Sequence, residues 1–377
     1  MSDILVIGGG IIGLLTAREL VQAGAAVTLV ELGETGRESS WAGGGIVSPL
    51  YPWRYPDSVT ALARWSQRLY PKLCAELTAE TGIDPELTVN GLLILDPQER
   101  EPALVCWAAT HGTEVQLIDS VQLHEAAPEL AVRPPTAMLL PAVANVRNPR
   151  LVKAARRALA GRIALREQEE VHAILAADGR VEGVRTSRGL IRADQVVVCT
   201  GAWTARLLDP LGQRPDIAPV RGQMLLFKGR PGQVNYTTLW REHYVIPRRD
   251  GRVLVGSTLE QTGFVKETTA QGRESLQRAA VELYPLLAHT PIEAHWSGLR
   301  PGAPGGIPYI APVPGTAGLY VNAGHYRNGI VTGPASARLV ADLLLGRDPV
   351  TDPAPYALDV PRLPDVGAGA PRLRSGR

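Results

Sequence analysis

The chain contains little cysteine, lysine or phenylalanine, and it has no long hydrophobic run. Its 377 residues include three cysteines without CxxC spacing, so neither a disulfide framework nor a zinc site is expected. Four of the 39 basic residues are lysine and the formal net charge is +2, which argues against nucleic-acid or anionic-lipid binding. The apolar stretch over residues 4–15 is too short to span a bilayer. We therefore predict a cytoplasmic protein with no stable membrane insertion, no nucleic-acid partner and no metal.

Common hydrolase and kinase motifs are also missing. The seven histidines show no HxxxH or HExxH spacing, and neither a GxSxG elbow nor a GxxxxGK[ST] loop occurs. The length predicts two or three domains, and we expect a homo-oligomer. The high content of glycine (39) and proline (31) predicts many tight turns.

A strand, a helix and a second strand open the chain. Residues 4–7 form a β-branched run, residues 11–24 follow helical spacing, and residues 27–30 are apolar again. Such a βαβ unit forms a parallel strand pair with a right-handed crossover. Residues 195–199 predict a further buried strand.

Alternating segments elsewhere indicate a second type of sheet. Residues 91–95, 223–227 and 252–256 predict strands of a mostly antiparallel sheet. The fold class is therefore α/β, with a Rossmann-like domain interleaved with a mostly antiparallel β-sheet domain that has flanking helices. Residues 361–377 mix proline, glycine and arginine without periodicity and predict a flexible tail.

A nucleotide-binding fingerprint lies at the first turn. Gly8, Gly10 and Gly13 have the GxGxxG spacing between the first strand and the first helix. These glycines permit a tight turn, the approach of a pyrophosphate and close packing of helix on strand. Glu31 ends the second strand, where a carboxylate would accept hydrogen bonds from ribose hydroxyls. The fingerprint alone does not separate FAD from NAD.

The segment over residues 36–46 favours FAD. It is rich in glycine, serine and alanine, and we interpret it as too small and flexible for a core helix or strand. Its backbone could lie flat against a large planar ring.

Six ordered segments resemble the D-amino-acid oxidase family of flavoproteins, most closely its glycine oxidase branch. The similarity runs from the first strand to about residue 346. The segments are residues 8–13, 38–45, 200–203, 243–248, 298–302 and 324–330.

The resemblance implies an enzyme with non-covalent FAD that deaminates glycine and small amines such as sarcosine and D-alanine. Hydride transfer to flavin N5 would give an imino acid, then glyoxylate or another oxo acid plus ammonia, while O2 is reduced to H2O2. The branch is associated with thiamine biosynthesis. Alternatives within the family are a D-amino acid dehydrogenase that uses a quinone or other acceptor, and a flavoprotein oxidase that modifies tRNA.

The same resemblance implies a domain division. The FAD-binding domain would comprise residues 1–82, 142–212 and 297–346. The substrate domain would comprise residues 83–141 and 213–296.

Three residues are implied to be catalytic. Arg300, which we place in a Gly-Leu-Arg-Pro-Gly turn, would pair with the substrate carboxylate, because a guanidinium offers two parallel hydrogen bonds. Tyr244 would help to hold that carboxylate, and Arg327 would line the same cavity. The chain departs from the branch at two positions, with Glu242 where a histidine is typical and Leu259 where a methionine is typical.

The remaining implied residues contact the cofactor. Residues 325–330 would lie beside the flavin ring, where backbone NH groups and a helix start stabilise negative charge. The full cofactor-binding set is Gly8, Gly10, Ile11, Ile12, Gly13, Glu31, Ser39, Ser40, Ala42, Gly43, Gly44, Gly45, Ile46, Val171, Thr200, Gly201, Trp203, Arg300, His325, Arg327, Asn328, Gly329 and Ile330.

Overall fold

The computed structural model describes residues 3–95 and 101–362. The α-helices are α1 (Ile11–Gln22), α2 (Ser39–Ala42), α3 (Asp57–Thr81), α4 (Glu101–His111), α5 (Ser120–Ala126), α6 (Asn148–Ala158), α7 (Thr204–Leu208), α8 (Ala270–Leu283) and α9 (Gly329–Leu345). The strands are β1 (Asp3–Ile7), β2 (Ala26–Val30), β3 (Thr88–Val89), β4 (Leu92–Ile94), β5 (Gln116–Asp119), β6 (Thr136–Leu140), β7 (Ala144–Asn145), β8 (Ala164–Arg166), β9 (Val171–Ala177), β10 (Arg180–Thr186), β11 (Gly189–Arg192), β12 (Gln195–Val198), β13 (Ala218–Phe227), β14 (Thr237–Trp240), β15 (His243–Pro247), β16 (Val253–Gly256), β17 (Ile292–Gly302), β18 (Tyr309–Pro312) and β19 (Leu319–Ala323).

A six-stranded sheet contains the predicted βαβ unit. Its order is β18-β19-β12-β1-β2-β8, and every pair is parallel except β18 with β19. The strands are buried on both faces, because other elements cover each face of the sheet. Successive side chains along a strand point to opposite faces. In β1, Ile4 and Val6 pack towards α1, α3, α6 and α9, whereas Leu5 and Ile7 pack with residues of the three-stranded sheet β11-β10-β9.

An eight-stranded sheet forms the second layer. Its order is β17-β13-β16-β15-β14-β4-β6-β5, and the β14–β4 pair is its one parallel pair. Leu93 and Leu95 pack with α8 on one face, while Leu92 and Ile94 belong to a core on the other. The α/β fold class with a mostly antiparallel second sheet is therefore confirmed.

The chain passes repeatedly between the two large sheets. The six-stranded sheet takes strands from residues 3–30, 164–198 and 309–323, and the eight-stranded sheet takes strands from residues 92–140 and 218–302. The domain division stays a prediction, and its boundary at 296/297 falls inside β17.

Two local predictions require correction. Arg300 lies in strand β17, paired with Val220 of β13, and not in a turn, because residues 298–302 continue the pairing that begins at Ile292. The predicted tail begins at residue 361, but Arg362 donates hydrogen bonds to Ile307 O and Pro308 O and stacks 3.4 Å over the Tyr309 ring. Residues 363–377 of that prediction lie outside the described residues.

The three cysteines are free, with Cys74 and Cys199 buried and Cys106 exposed. Among the described residues, no helix combines the length and the apolar character needed to cross a bilayer.

Candidate functional site

A cavity of about 510 Å³ lies where the two large sheets meet, a size typical of ligand sites. Its lining includes residues that directly follow parallel strands of the six-stranded sheet: Gly8 after β1, Glu31 after β2 and Cys199 after β12. The carboxyl ends of parallel strands are where α/β sheets bind ligands. Gly222, Tyr244 and Arg300 of the eight-stranded sheet also line it.

The first turn of the fold requires its glycines. Gly8 has φ +104°, and a Cβ there would lie 2.5 Å from Cys199 O. A Cβ at Gly13 would lie 1.9 Å from Gly8 O, so any side chain would push α1 away from β1. Gly13 does not itself line the cavity. Its close approach to Gly8 O reflects the tight packing of helix on strand that the fingerprint predicts.

Hydrogen bonds fix the two polar residues beside this turn. Ser40 Oγ accepts a hydrogen bond from Ile11 N at 2.8 Å, at the start of α1. The Glu31 carboxylate accepts hydrogen bonds from Gly9 N at 2.6 Å and Gly33 N at 2.9 Å. These bonds hold Glu31 in the cavity wall, and a carboxylate retains further lone pairs for hydroxyl donors.

The segment over residues 36–46 differs in one respect from the expectation of an irregular loop. Residues 39–42 form one turn of helix, α2, because Ala42 N and Gly43 N bond back to Glu38 O and Ser39 O. The glycines that follow allow close backbone packing. Gly45 has φ +82°, and a Cβ there would lie 2.1 Å from Val146 O.

Arg248 fastens this segment to the eight-stranded sheet. Its guanidinium donates hydrogen bonds to Gly44 O at 2.7 Å, Asn145 Oδ1 at 2.7 Å and Val146 O at 2.9 Å. Burial lowers the pKa of Arg248 to about 10, so the group remains charged at neutral pH. Sequence reasoning included Arg248 in a family segment without giving it this role.

Arg300 is anchored at the end of the cavity that the eight-stranded sheet lines. Its guanidinium donates to Ser257 Oγ at 2.5 Å and to Thr258 O at 3.3 Å. It lies directly over Gly222, where a Cβ would be only 2.1 Å from Nη1. Neither of these anchors is an acid, so its positive charge can be offered to an anionic ligand.

Tyr244 and Arg327 line the same end of the cavity. Tyr244 is buried, and its hydroxyl donates to Met224 Sδ at 3.3 Å. Within the described residues, Arg327 has no hydrogen bond or ion pair, and its guanidinium lies 5.7 Å from the Tyr326 ring. Burial acts to lower the pKa of Arg327, but nearby tyrosines and Glu242 raise it above its ordinary value.

His325 is a neutral, buried residue of the cavity wall. It is 2% exposed, and burial lowers its pKa to about 3. Its Nε2 has no hydrogen-bond partner among the described residues. Asn328 is the N-cap residue of helix α9, and the Asn328 carbonyl accepts a hydrogen bond from Thr332 N at 2.8 Å. The first two residues of α9, Gly329 and Ile330, line the cavity, which places the positive end of the helix dipole there.

The structure brings almost all the predicted site residues together around this cavity. Gly13 and Asn328 are the two that do not line it. The predicted residues that do are Gly8, Gly10, Ile11, Ile12, Glu31, Ser39, Ser40, Ala42, Gly43, Gly44, Gly45, Ile46, Val171, Thr200, Gly201, Trp203, Tyr244, Arg300, His325, Arg327, Gly329 and Ile330.

Sequence reasoning assigned no site role to several further lining residues, among them Asn148, Arg206, Gly222, Met224, Glu242 and Ser257. Most of these residues carry no local motif. Glu242 did carry a signal, because it departs from the residue typical of the branch. Leu259, the other departure, is 36% exposed and does not line the cavity.

Comparison with known proteins gives consistent matches. Residues 3–343 match the family described as FAD dependent oxidoreductase. The chain is 52% identical over 360 residues to a glycine oxidase of Pseudomonas aeruginosa, covering 95% of this chain and 99% of that protein. It is 32% identical to the bifunctional protein ThiO/ThiG of a Nostoc species, covering 91% of this chain and 52% of that protein. The solved structure of glycine oxidase from Geobacillus kaustophilus superposes with a TM-score of 0.90 at 31% identity, covering 95% of this chain and 99% of that one.

Proposed function

The chain belongs to the family of FAD-dependent oxidoreductases, and on that basis we propose that it oxidises glycine and small amines such as sarcosine and D-alanine. The products would be an imino acid, its hydrolysis product glyoxylate or another oxo acid, ammonia and H2O2. The observation that carries the substrate class is the Arg300 guanidinium, which is anchored by neutral groups inside a cavity shared with the glycine-rich turn.

The cavity fits FAD. The turn at Gly8 and Gly10 and the start of α1 would hold the pyrophosphate, and Glu31 would hold the ribose. Three buried polar atoms of lining residues, Asn148 Oδ1, Asn322 Oδ1 and His325 Nε2, lack protein partners among the described residues, and buried polar groups normally have one. FAD, when bound, supplies a two-electron acceptor.

The protein's own residues would bind and orient the substrate. Arg300 would grip the carboxylate through two parallel hydrogen bonds. Tyr244 now donates to a thioether, which is a weak acceptor, so its hydroxyl can turn to a carboxylate at small cost. Together these two contacts would fix the direction of the Cα–H bond, and orientation of this kind lowers the barrier.

His325 is not suited to accept the proton of the substrate's ammonium group. Burial lowers its pKa to about 3, so its imidazole holds no added proton at pH 7. We therefore assign no general base, and the substrate would react with its amine neutral.

A role in thiamine biosynthesis is part of the proposal. It is supported by the likeness to one half of the ThiO/ThiG protein. The cytoplasmic location, the homo-oligomer and the use of O2 as acceptor stay predictions.

Anaerobic addition of glycine, sarcosine and D-alanine to the purified yellow protein tests the activity. We expect at least one of the three to bleach the flavin absorbance, followed on aeration by H2O2 in proportion to substrate consumed. Absence of bleaching with all three contradicts the proposal. Bleaching without H2O2, together with rapid dye reduction, indicates a dehydrogenase.

Replacement of Arg300 by lysine tests the carboxylate assignment. Arg300→Lys keeps the charge but loses the planar fork, and a charged hydrogen bond contributes roughly 1.5 to 3 kcal/mol. We expect KM for glycine to rise by about 10- to 100-fold, while FAD remains bound. An unchanged KM contradicts the assignment.

A further inference from the structure

The turn that joins β14 to β15 has an unusual backbone for its residues. Trp240 pairs with His243, so Arg241 and Glu242 form a two-residue hairpin loop. Both have positive φ, +45° and +67°, as in a type I′ turn, where Asn-Gly is the favoured sequence. Neither arginine nor glutamate is favoured at positive φ, so propensity does not account for these side chains.

The hairpin places the two side chains differently. Arg241 stacks 4.2 Å over the Trp240 ring and lies 3.7 Å from the Glu282 carboxylate of α8. Glu242 instead lines the cavity, and it has no hydrogen bond or ion pair within the described residues. An unfavourable backbone that delivers an unpaired carboxylate to a ligand cavity is typical of a functional position.

Glu242 also differs from the other acids of the cavity in the part of the fold that supplies it. The other acids of the described lining, Glu31, Glu34, Glu38, Glu169 and Glu170, come from segments around the six-stranded sheet. Among lining residues supplied by the eight-stranded sheet and its turns, Glu242 is the one acid. Its charge contributes to the raised pKa of Arg327, so the two groups are close enough to interact electrostatically.

The charges at this end of the cavity match a substrate with one carboxylate. Arg300 and Arg327 supply two positive charges, Glu242 supplies one negative charge, and His325 is neutral because burial lowers its pKa to about 3. One substrate carboxylate brings the sum to zero. A second carboxylate would leave an excess negative charge beside Glu242 in a partly desolvated site, where like charges repel more strongly than in water.

We propose that Glu242 is a specificity-determining residue that makes the cavity select substrates with one carboxylate and reject those with two. The inference rests on the proposed function, because it takes Arg300 to be the carboxylate anchor. It concerns the second charge of the ligand and not the oxidation itself, so ligand binding tests it without turnover.

Calorimetric titration of the FAD-containing protein with acetate and with malonate provides that test. We expect the wild type to bind acetate more tightly than malonate. Glu242→Gln should strengthen malonate binding by about 10-fold relative to acetate, a change that corresponds to one removed charge repulsion. Added salt should reduce the difference, because screening weakens the repulsion.

Three matched variants separate charge from structure. Glu242→Asp keeps the charge and should retain the wild-type ratio, whereas Glu242→Asn removes the charge but suits positive φ and should behave as Glu242→Gln does. Glu282→Gln removes the acid that contacts Arg241 outside the cavity, and it should leave the ratio unchanged.

The same variants can be compared as enzymes. We expect kcat/KM for iminodiacetate, relative to that for glycine, to rise by about 10-fold in Glu242→Gln. A malonate-to-acetate ratio within threefold of wild type in both Glu242→Gln and Glu242→Asn overturns the inference, as does an equal change for both ligands. If the wild-type flavin is not bleached by glycine, sarcosine or D-alanine, the proposed function fails, and the binding ratios still decide the role of Glu242.

Discussion

Replacement of Gly222 by alanine should displace the Arg300 guanidinium without unfolding the protein. A Cβ at Gly222 would lie 2.1 Å from Nη1, 2.3 Å from Nη2 and 2.4 Å from Cζ of Arg300, and these are its three nearest atoms. The backbone at Gly222 cannot easily yield, because β13 pairs with β17 there and Gln223 N bonds to Thr258 Oγ1 at 2.9 Å. The end of the Arg300 side chain must therefore move.

The size of the effect follows from these distances. Ordinary contact between non-bonded heavy atoms needs about 3.5 Å, so the guanidinium must retreat by about 1 Å or more. A shift of that size would break its 2.5 Å hydrogen bond to Ser257 Oγ or misdirect it. Loss of one charged hydrogen bond can lower kcat/KM by roughly 100-fold. A misplacement of about 1 Å can lower it by a similar factor. We expect kcat/KM for glycine to fall by about 100-fold in Gly222→Ala, mainly through KM.

Steady-state kinetics, FAD content and urea unfolding of the same preparations check this prediction. FAD content should stay at the wild-type level, because Gly222 lies in the eight-stranded sheet, whereas the glycine-rich turn follows β1 of the six-stranded sheet. The matched control is Gly333→Ala in α9, where the new Cβ would make contacts of 3.4 Å with Ile12 and Leu15 and where the glycine itself does not line the cavity. If Gly222→Ala has kinetics within twofold of Gly333→Ala, the assignment of Arg300 as the carboxylate anchor is refuted.

Two further predictions concern stability. Arg248→Met removes the donors that hold Gly44 O and Val146 O and should lower the free energy of unfolding by roughly 2 to 4 kcal/mol; a loss below about 0.5 kcal/mol in urea titrations would show that this link is dispensable. The pKa of His325 is about 3 in the fold against an ordinary value of 6.5, so between these pH values the unfolded chain binds a proton that the native protein does not, and stability must fall as pH falls. Between pH 7 and pH 5, the wild type should lose about 2 kcal/mol more than His325→Gln; equal losses would contradict the low pKa.

The parallel layer of the fold could be predicted from local pattern alone. The β-branched run before Gly8, the helical spacing after Gly13 and the strand ending at Glu31 fix the first βαβ unit, because period, turn and crossover agree. The alternating segments at residues 223–227 and 252–256 likewise lie in strands β13 and β16. Most of the site residues assigned from the fingerprint and the family resemblance also line the cavity.

The tertiary structure decided features that depend on residues distant in the chain. The segment Gly-Leu-Arg-Pro-Gly reads locally as a turn, but pairing of β17 with β13 makes it a strand and sets Arg300 over Gly222. The link from Arg248 to Gly44 joins residues 204 positions apart. No short-range pattern encodes either contact.

The tertiary structure also decided which charged side chains meet at the proposed substrate site. Sequence alone places Glu242 beside Tyr244, and it supplies two arginines among many. The folded hairpin, with positive φ at Arg241 and Glu242, places the Glu242 side chain in the lining of the cavity that Arg300 and Arg327 also line. Local periodicity determines which segments form strands and helices, because residues at the repeat spacing of an element lie on the same face. The proposed selectivity of the site depends on charges that meet only when distant segments pack together.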